Sequence, residues 1–285
     1  MILSFHPCIE ADTNVIVAGR APGTEEESLT KRADAILLSQ GVRQDLYDLC
    51  RKHCRRVFPN YDHRFQYPGK VGDTLLFRNL GLPHPKTSIF RDVAHYRQIY
   101  PPERNRFPFP MPFIVKGNFS GEGHLVFKIH DGQRLQVILE QLAAMENSGM
   151  QGFIAQQLIN HSGRDVRVVV LYDRLISYWR VQNDPKQFLT NLSARGTIDR
   201  QSDPHLLRKA EEIVHSFCRK TGVDLAGIDL MFDENASICQ PLLVEINYWF
   251  GRSIFGSSLS YYEELKKAAR RWLGAFDPAW AGRIR

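Results

Sequence analysis

The stretch from Gly222 to Gly251 holds the side chains whose types and spacing suggest chemistry. Two apolar runs, Ala226 to Phe232 and Leu242 to Asn247, flank a polar turn around Asp233-Glu234-Asn235. Read as a hairpin, the two-residue alternation of a strand places Ala226, Ile228, Leu230 and Phe232 on one face and Asp229 on the other. On the second run the same alternation gives Leu243, Glu245 and Asn247 a common face. With the turn centred near Ser237, Asp229 falls opposite Glu245. Like charges facing each other are destabilising unless a cation sits between them. Two carboxylates and an amide oxygen are hard donors suited to Mg²⁺, and few enough to leave it waters and phosphate oxygens. An exposed acidic face on an edge hairpin is the competing reading at this stage.

A second constellation runs from Pro112 to His124. A strand ends in Lys116, a glycine-rich turn containing Ser120 and Gly121 follows, and a second strand leaves through Leu125 to Ile129. Backbone N–H groups in such a turn can wrap a phosphate chain, and the lysine adds a point charge. The pattern is neither a P-loop nor a dinucleotide fingerprint, and hairpins also carry glycines for backbone reasons alone. A third stretch comprises Gly152 to Ile159, then Gly163-Arg164-Asp165-Val166-Arg167 and the apolar run Val168 to Leu171. Asp165, Arg167 and Val169 share one strand face, opposite Val166, Val168 and Val170. A charged pair on one face is also ordinary for a half-buried sheet.

These residues need a scaffold, and the rest of the chain supplies one. Ile2 to Phe5, Asn14 to Ala18 and Ala35 to Leu38 are short apolar runs between polar turns, as in the strands of a small α/β domain. Val42, Leu46, Leu49 and Cys50 give Gln40 to Arg55 helical spacing. Leu75 to Leu80 reads as a helix ended by Gly81, with Pro83 and Pro85 forcing extension after it. The five prolines between Tyr100 and Pro112 make that segment a connector. Gln133 to Asn147 is helical and stopped by Gly149. Asp203-Pro204 reads as a cap and first helical residue, with Gly222 at the far end. Ser260 to Glu263 has capping-box spacing and opens a final helix to Leu273.

Composition bounds the function classes. The chain has 285 residues, 43% hydrophobic and 24% charged, which is ordinary for a globular protein. No run approaches the roughly 18 apolar residues of a membrane span. Met1 to Pro7 reads as a first strand and not as an export signal, so a cytoplasmic location is expected. Cys8, Cys50, Cys54, Cys218 and Cys239 form no C-x-x-C pair, and their odd number argues against a disulfide framework. Cys50, His53 and Cys54 share one turn, but the cysteines fit the apolar face beside Leu46 better than a metal half-site. The formal charge of +6 favours anionic ligands. A nucleic-acid partner would rest on that charge alone, because no basic stripe interleaved with aromatics exists.

Taken in order, lysine, glycine-rich hairpin, polar hinge, Asp-x-Arg, Asn-Leu, and then Asp and Glu-x-Asn resemble the ATP-grasp superfamily. The pattern is most similar to its RimK-like branch of carboxylate-amine ligases, from about Lys70 to Gly251. The resemblance implies an α/β (α+β) ATP-grasp fold with the nucleotide between two α+β lobes. Residues 1–69 would be a small preceding α/β domain, 70–157 the central lobe and 158–285 the C-terminal lobe. It implies that Lys70 and Lys116 approach the ATP phosphates, with Ser120 and Gly121 in the phosphate loop. Gln156, Gln157, Leu158 and Ile159 match the hinge that reads adenine. Asp165 matches a nucleotide-contacting carboxylate, and Asn191 an asparagine near the phosphates. Asp229, Glu245 and Asn247 match the metal ligands, for Mg²⁺ or alternatively Mn²⁺, and Arg167 matches the arginine facing the reacting phosphoryl group.

The implied activity is Mg-ATP-dependent amide formation through an acyl phosphate, with release of ADP and phosphate. The carboxylate and amine are left unnamed, an amino acid or peptide being the class suggested. The chain departs from the family pattern at Leu189, at Val181-Gln182 (although Arg180 is adjacent) and at Tyr248-Trp249-Phe250-Gly251-Arg252. Leu189 and the altered segment after Asn247 motivate an alternative, a non-catalytic ATP-binding module that closes on a partner.

Overall fold

The computed structural model describes residues 1–119, 123–184, 190 and 196–285. The chain opens with a parallel sheet built from β1 (Ile2–Ser4), β2 (Thr13–Asn14), β3 (Ala35–Leu37) and β4 (Val57–Phe58), in the order β2-β1-β3-β4. Parallel neighbours require crossovers, which α1 (Thr24–Arg32) and α2 (Gln44–His53) supply. The run expected as a strand from Asn14 to Ala18 pairs only at its start, because Ala18 and Gly19 take φ of 50° and 78° and turn the chain away. Cys50 and Cys54 are buried with Leu46 in the core beneath this sheet.

Next come α3 (Asp62–Gln66) and α4 (Gly69–Asn79). The second helix begins well before Leu75, so Lys70 lies in its first turn. The middle sheet is antiparallel, formed by β5 (Thr87–Phe90), β6 (Phe113–Gly117), β7 (Val126–Ile129) and β8 (Phe153–Gln157) in the order β5-β8-β6-β7. Two helices cover it, α5 (Val93–Ile99) and α6 (Gly132–Glu146). The second is capped by Asp131, which accepts from the Arg134 N–H, and buries Leu135, Ile138, Leu139 and Leu142 against Phe113, Ile129 and Phe153.

The third sheet consists of β9 (Arg164–Leu171), β10 (Arg174–Val181), β11 (Thr197–Asp199), β12 (Leu225–Phe232) and β13 (Pro241–Asn247), in the order β11-β10-β9-β12-β13. Its two faces enter different cores. Val166, Val168 and Val170 pack with α7 (Pro204–Thr221) and with Leu76 and Phe77 of α4. Val169 and Leu171 join the core that holds α8 (Ser258–Gly274) and the first parallel sheet. Two expected caps differ. Asp203 sits in the left-handed region and pairs with Arg164 at 2.5 Å, so Pro204 starts α7 without a side-chain cap. The last helix is capped by Ser257, which accepts from the Ser260 N–H, so Ser260 is inside the helix. Among the described residues no helix is long and apolar enough to cross a membrane.

Candidate functional site

β12 and β13 pair antiparallel with Asp229 directly opposite Glu245, as the hairpin reading requires. One feature of that reading is corrected. The ladder steps from Asp229–Glu245 to Leu230–Leu243, leaving Val244 as the extra residue of a β-bulge. Leu243 therefore turns into the core with Leu230, while Glu245 and Asn247 stay on the side of Asp229. The three do not share an uninterrupted face.

A belt of charge crosses the strands at this level. Asp165 pairs in register with Arg180 across β9 and β10, and Arg167 with Asp229 across β9 and β12. Arg167 donates to Asp229 through Nε and Nη2, at 2.7 and 2.8 Å. Arg180 donates through the same two nitrogens to Asp165, at 2.7 and 2.6 Å, and its Nη2 also lies 3.0 Å from Asp229 Oδ2. The Thr190 hydroxyl donates to Asp165 at 2.6 Å. Burial works to raise the Asp229 carboxyl, but the charges and hydrogen bonds of Arg167 and Arg180 override it and hold it down at about 2. The expectation that Asp229 and Glu245 simply repel is thus overturned: guanidinium groups neutralise Asp229, and Lys70 of α4 donates to Glu245 Oε1 at 3.1 Å.

Lys116 reaches the same region from β6 of the middle sheet. It is buried, and that burial pulls its ammonium down to about 8, with Glu245 working against the shift and Lys70 adding to it. Just beyond it, Asn118 ties the start of the glycine-rich turn to α4. Its carbonyl accepts from the Lys70 N–H at 3.2 Å and its side-chain oxygen from the Val71 N–H at 3.0 Å. Gly69 has φ +71°, and a Cβ there would stand 2.4 Å from Asn118 Oδ1, so only glycine permits the approach. Ser120, Gly121 and Asn191, together with Leu189, lie outside the described residues.

The hinge residues border a cleft of about 920 Å³. Gln157, Leu158 and Ile159 line it, opposite Phe109, Met111 and Lys128. Gln156 instead turns inward and donates to Thr87 Oγ1 at 3.0 Å. A smaller cavity of about 340 Å³ borders Lys70 and Glu245 and includes Asp73, Arg64 and Tyr248. Asp73 accepts from the Ile246 N–H at 3.1 Å, and burial, aided by Glu245, pushes its carboxyl well above the usual range.

Sequence reasoning missed the roles of Arg180, Thr190, Asp73 and Asn118. Arg180 had a usable signal: a tight turn at Tyr172-Asp173 between two apolar runs sets a register that places it opposite Asp165.

As a metal site, Asp229, Glu245 and Asn247 offer a donor set that suits Mg²⁺ or Mn²⁺. Asn247 uses Nδ2 toward Asp229 at 3.1 Å, which leaves its oxygen for other partners. Among the described residues no three His, Cys, Asp or Glu side chains gather into a metal cage. Both Asp229 oxygens already accept from guanidinium groups, so an ion there would have to take over part of that bonding.

The profile of the RimK-like ATP-grasp domain matches residues 71–257. The glutamate–LysW ligase ArgX of Sulfurisphaera tokodaii is 29% identical over 139 residues, 47% of this chain and 47% of that protein. The chain thus spans about half the length of the curated relatives it matches. An ATP-grasp RimK domain protein from Sphaerobacter thermophilus superposes with a TM-score of 0.57 at 16% identity, covering 82% of this chain and 80% of the other. The D-alanine–D-alanine ligase of Helicobacter pylori gives 0.58 at 15% identity, covering 83% and 72%. At these identities the two structures establish the ATP-grasp fold, and the profile, extending over more than half of the residues, establishes the family. The chain belongs to the RimK-like ATP-grasp family.

Proposed function

We propose that the protein is an ATP-dependent carboxylate-amine ligase, with nucleotide bound between the lobes formed by residues 70–157 and 158–285. The observation that carries this reading is the convergence of Lys70 on Glu245 opposite Asp229, with Lys116 buried nearby. Cations for a phosphate chain and oxygen donors for its metal thereby occupy one region. The 920 Å³ cleft beside Gln157 to Ile159 has the size of a nucleotide-base site.

In this reading, Lys116 and Lys70 hold the phosphates as point charges, and the glycine-rich segment with Ser120 and Gly121 covers them. Asp229, Glu245 and Asn247 would hold Mg²⁺, which would supply charge neutralisation to the phosphates when bound. A carboxylate oxygen of the substrate attacks the γ-phosphorus and ADP leaves, giving an acyl phosphate. An amine then attacks the acyl carbon, phosphate leaves, the nitrogen loses a proton and an amide remains. Arg167 stabilises charge on the transferring phosphoryl group and keeps Asp229 in place. The protein's contribution is positioning and electrostatics. Asp165 and Asn191 complete the nucleotide contacts.

The relative from Sulfurisphaera tokodaii is named as a glutamate–LysW ligase. An amino acid on one side of the new bond is the substrate class we assign here. The test is ADP release from Mg-ATP with carboxylates and amines added singly and in pairs, and mass spectrometry of the product. Release that needs both partners and yields an amide supports the ligase. Tight Mg-ATP binding with no release under any pairing means a nucleotide-binding module.

A further inference from the structure

The 340 Å³ cavity beside Lys70 and Glu245 is also lined by Arg64 of α3, which the reaction above does not use; its guanidinium lies 5.1 Å from the Tyr61 ring centre and 5.0 Å from that of Phe65. Its Nη1 donates to the Gln40 carbonyl at 2.7 Å. Among the described residues it has no acidic partner, unlike Arg167 and Arg180 at the neighbouring belt. Burial pulls its pKa below the ordinary arginine value.

Beside it are two orphaned hydroxyls. The Tyr248 and Tyr61 oxygens are buried and have no hydrogen-bond partner among the described residues. Their rings meet edge-on at 5.5 Å, and Tyr248 lines the cavity. A half-buried cation without a counter-ion and hydroxyls without partners are each unfavourable for folding alone. A carboxylate in the cavity would supply the missing counter-ion, accepting a forked pair of bonds from the guanidinium.

We propose that Arg64 receives the α-carboxylate of a free amino acid seated in this cavity, making it a specificity-determining residue contributed from outside the matched family domain. The inference rests on the ligase reading for the fate of that amino acid, but the binding site is a separate statement. Arg64, Lys70 and Glu245 all line this one cavity, so a small zwitterion held by its carboxylate would lie beside the reacting groups. Its volume is that of a small-molecule site. Tyr248, at a departure from the family pattern, lines the same cavity as Arg64.

The experiment compares proteinogenic L-amino acids, their α-amides and matching dipeptides as stimulants of ADP release, in the wild type, Arg64→Met and Arg64→Lys. The expected result is stimulation by acids and not amides, with KM for the amino acid raised about 10- to 100-fold in Arg64→Met, the loss of one charged hydrogen-bonded pair. Arg64→Lys recovers part of it, while kcat and Mg-ATP affinity stay near wild type. Equal use of amides by the wild type, or an unchanged KM in Arg64→Met, overturns the proposal and leaves the ligase intact. Preference for dipeptides over free amino acids overturns the free-amino-acid assignment. If no amino acid stimulates release beside any carboxylate partner, the amino-acid substrate class of the ligase reading fails, and saturation-transfer NMR with L-glutamate and L-alanine decides the site separately. Contact in the wild type that Arg64→Met loses upholds the carboxylate site, and absence of contact rejects it. Should Arg64→Met not fold by circular dichroism, Arg64→Lys and the acid–amide comparison in the wild type carry the decision.

Discussion

Arg167 grips Asp229 through two parallel hydrogen bonds of 2.7 and 2.8 Å across adjacent strands. The residue matched to the phosphoryl group and a residue matched to the metal therefore form one unit. Arg167 reaches Asp229 across Gly227 of the same strand: a Cβ on Gly227 would lie 3.5 Å from Arg167 Cδ and 3.0 Å from Phe250 Cβ. The belt continues through Arg180 to Asp165, so no carboxylate in it faces the interior without a cation.

Arg167→Met should consequently affect stability as well as turnover. Removing one member of a buried pair leaves the other under-compensated, at about 3 kcal/mol, the low end of the range because Arg180 and Asn247 still contact Asp229. Chemical denaturation measures the first effect and ADP release the second. Wild-type stability together with wild-type turnover would remove Arg167 from both roles.

Much of this was legible from local pattern, and the remainder was not for identifiable reasons. The Asp229–Glu245 register follows from a period of two and a short turn, both local. The bulge at Val244 is a single extra residue that alternation cannot reveal, and it sent Leu243 to the other face. The helix expected only from Leu75 begins at Gly69, a left-handed glycine whose missing side chain lets Asn118 approach, a contact local pattern does not show. Asp203 failed as a cap because Arg164 takes its carboxylate. Neutralisation of Asp229 by Arg167 depends on β9 lying beside β12, a pairing of strands distant in sequence. Arg64 is invisible to pattern altogether, since only the tertiary fold brings it to the cavity with Tyr248.

Lys116 predicts how nucleotide affinity depends on pH. Its folded pKa of about 8 lies below the roughly 10.4 of an unfolded lysine. Between those values the unfolded chain holds the extra proton, so the ligand-free protein gains stability as pH rises through this window. Bound phosphates favour the ammonium form, so Mg-ATP affinity should weaken as pH climbs above about 8. Lys116→Met should lower affinity about 10- to 100-fold at neutral pH and flatten that dependence. Calorimetry across the range, showing the same slope in variant and wild type, would assign the titration elsewhere.

Gly69→Ala tests the junction of α4 with the glycine-rich turn. The new Cβ meets Asn118 Oδ1 at 2.4 Å and its carbonyl at 2.9 Å, at a φ of +71°. A left-handed non-glycine residue alone costs on the order of 1–3 kcal/mol. We expect a loss of at least about 1 kcal/mol in unfolding free energy and weaker Mg-ATP binding, as the turn moves off the helix that carries Lys70. A variant with unchanged melting and affinity would show that this contact does not position the lysine.

Glu245→Gln separates a metal ligand from a structural acid. Were Glu245 and Asp229 merely opposed charges, removing one would stabilise the protein. The ion pair with Lys70 reverses that expectation: the neutral amide still accepts from the ammonium but loses the charge attraction. With Glu245 about a quarter exposed, the loss of stability should stay below about 1 kcal/mol. Function should respond far more strongly. Outer-shell partners of a metal typically cost 10- to 100-fold when changed, so loss of a direct ligand should lower Mg-dependent ADP release by at least about 100-fold. The stabilisation of the melt by Mg-ATP should shrink in parallel, because less ligand binds the folded state. A core role would instead show large destabilisation accompanying the lost activity. A solvated surface role would leave melting and turnover both unchanged. Melts with and without Mg-ATP beside the ADP-release assay distinguish these patterns, and normal turnover in Glu245→Gln would sink the assignment of Glu245 to the metal.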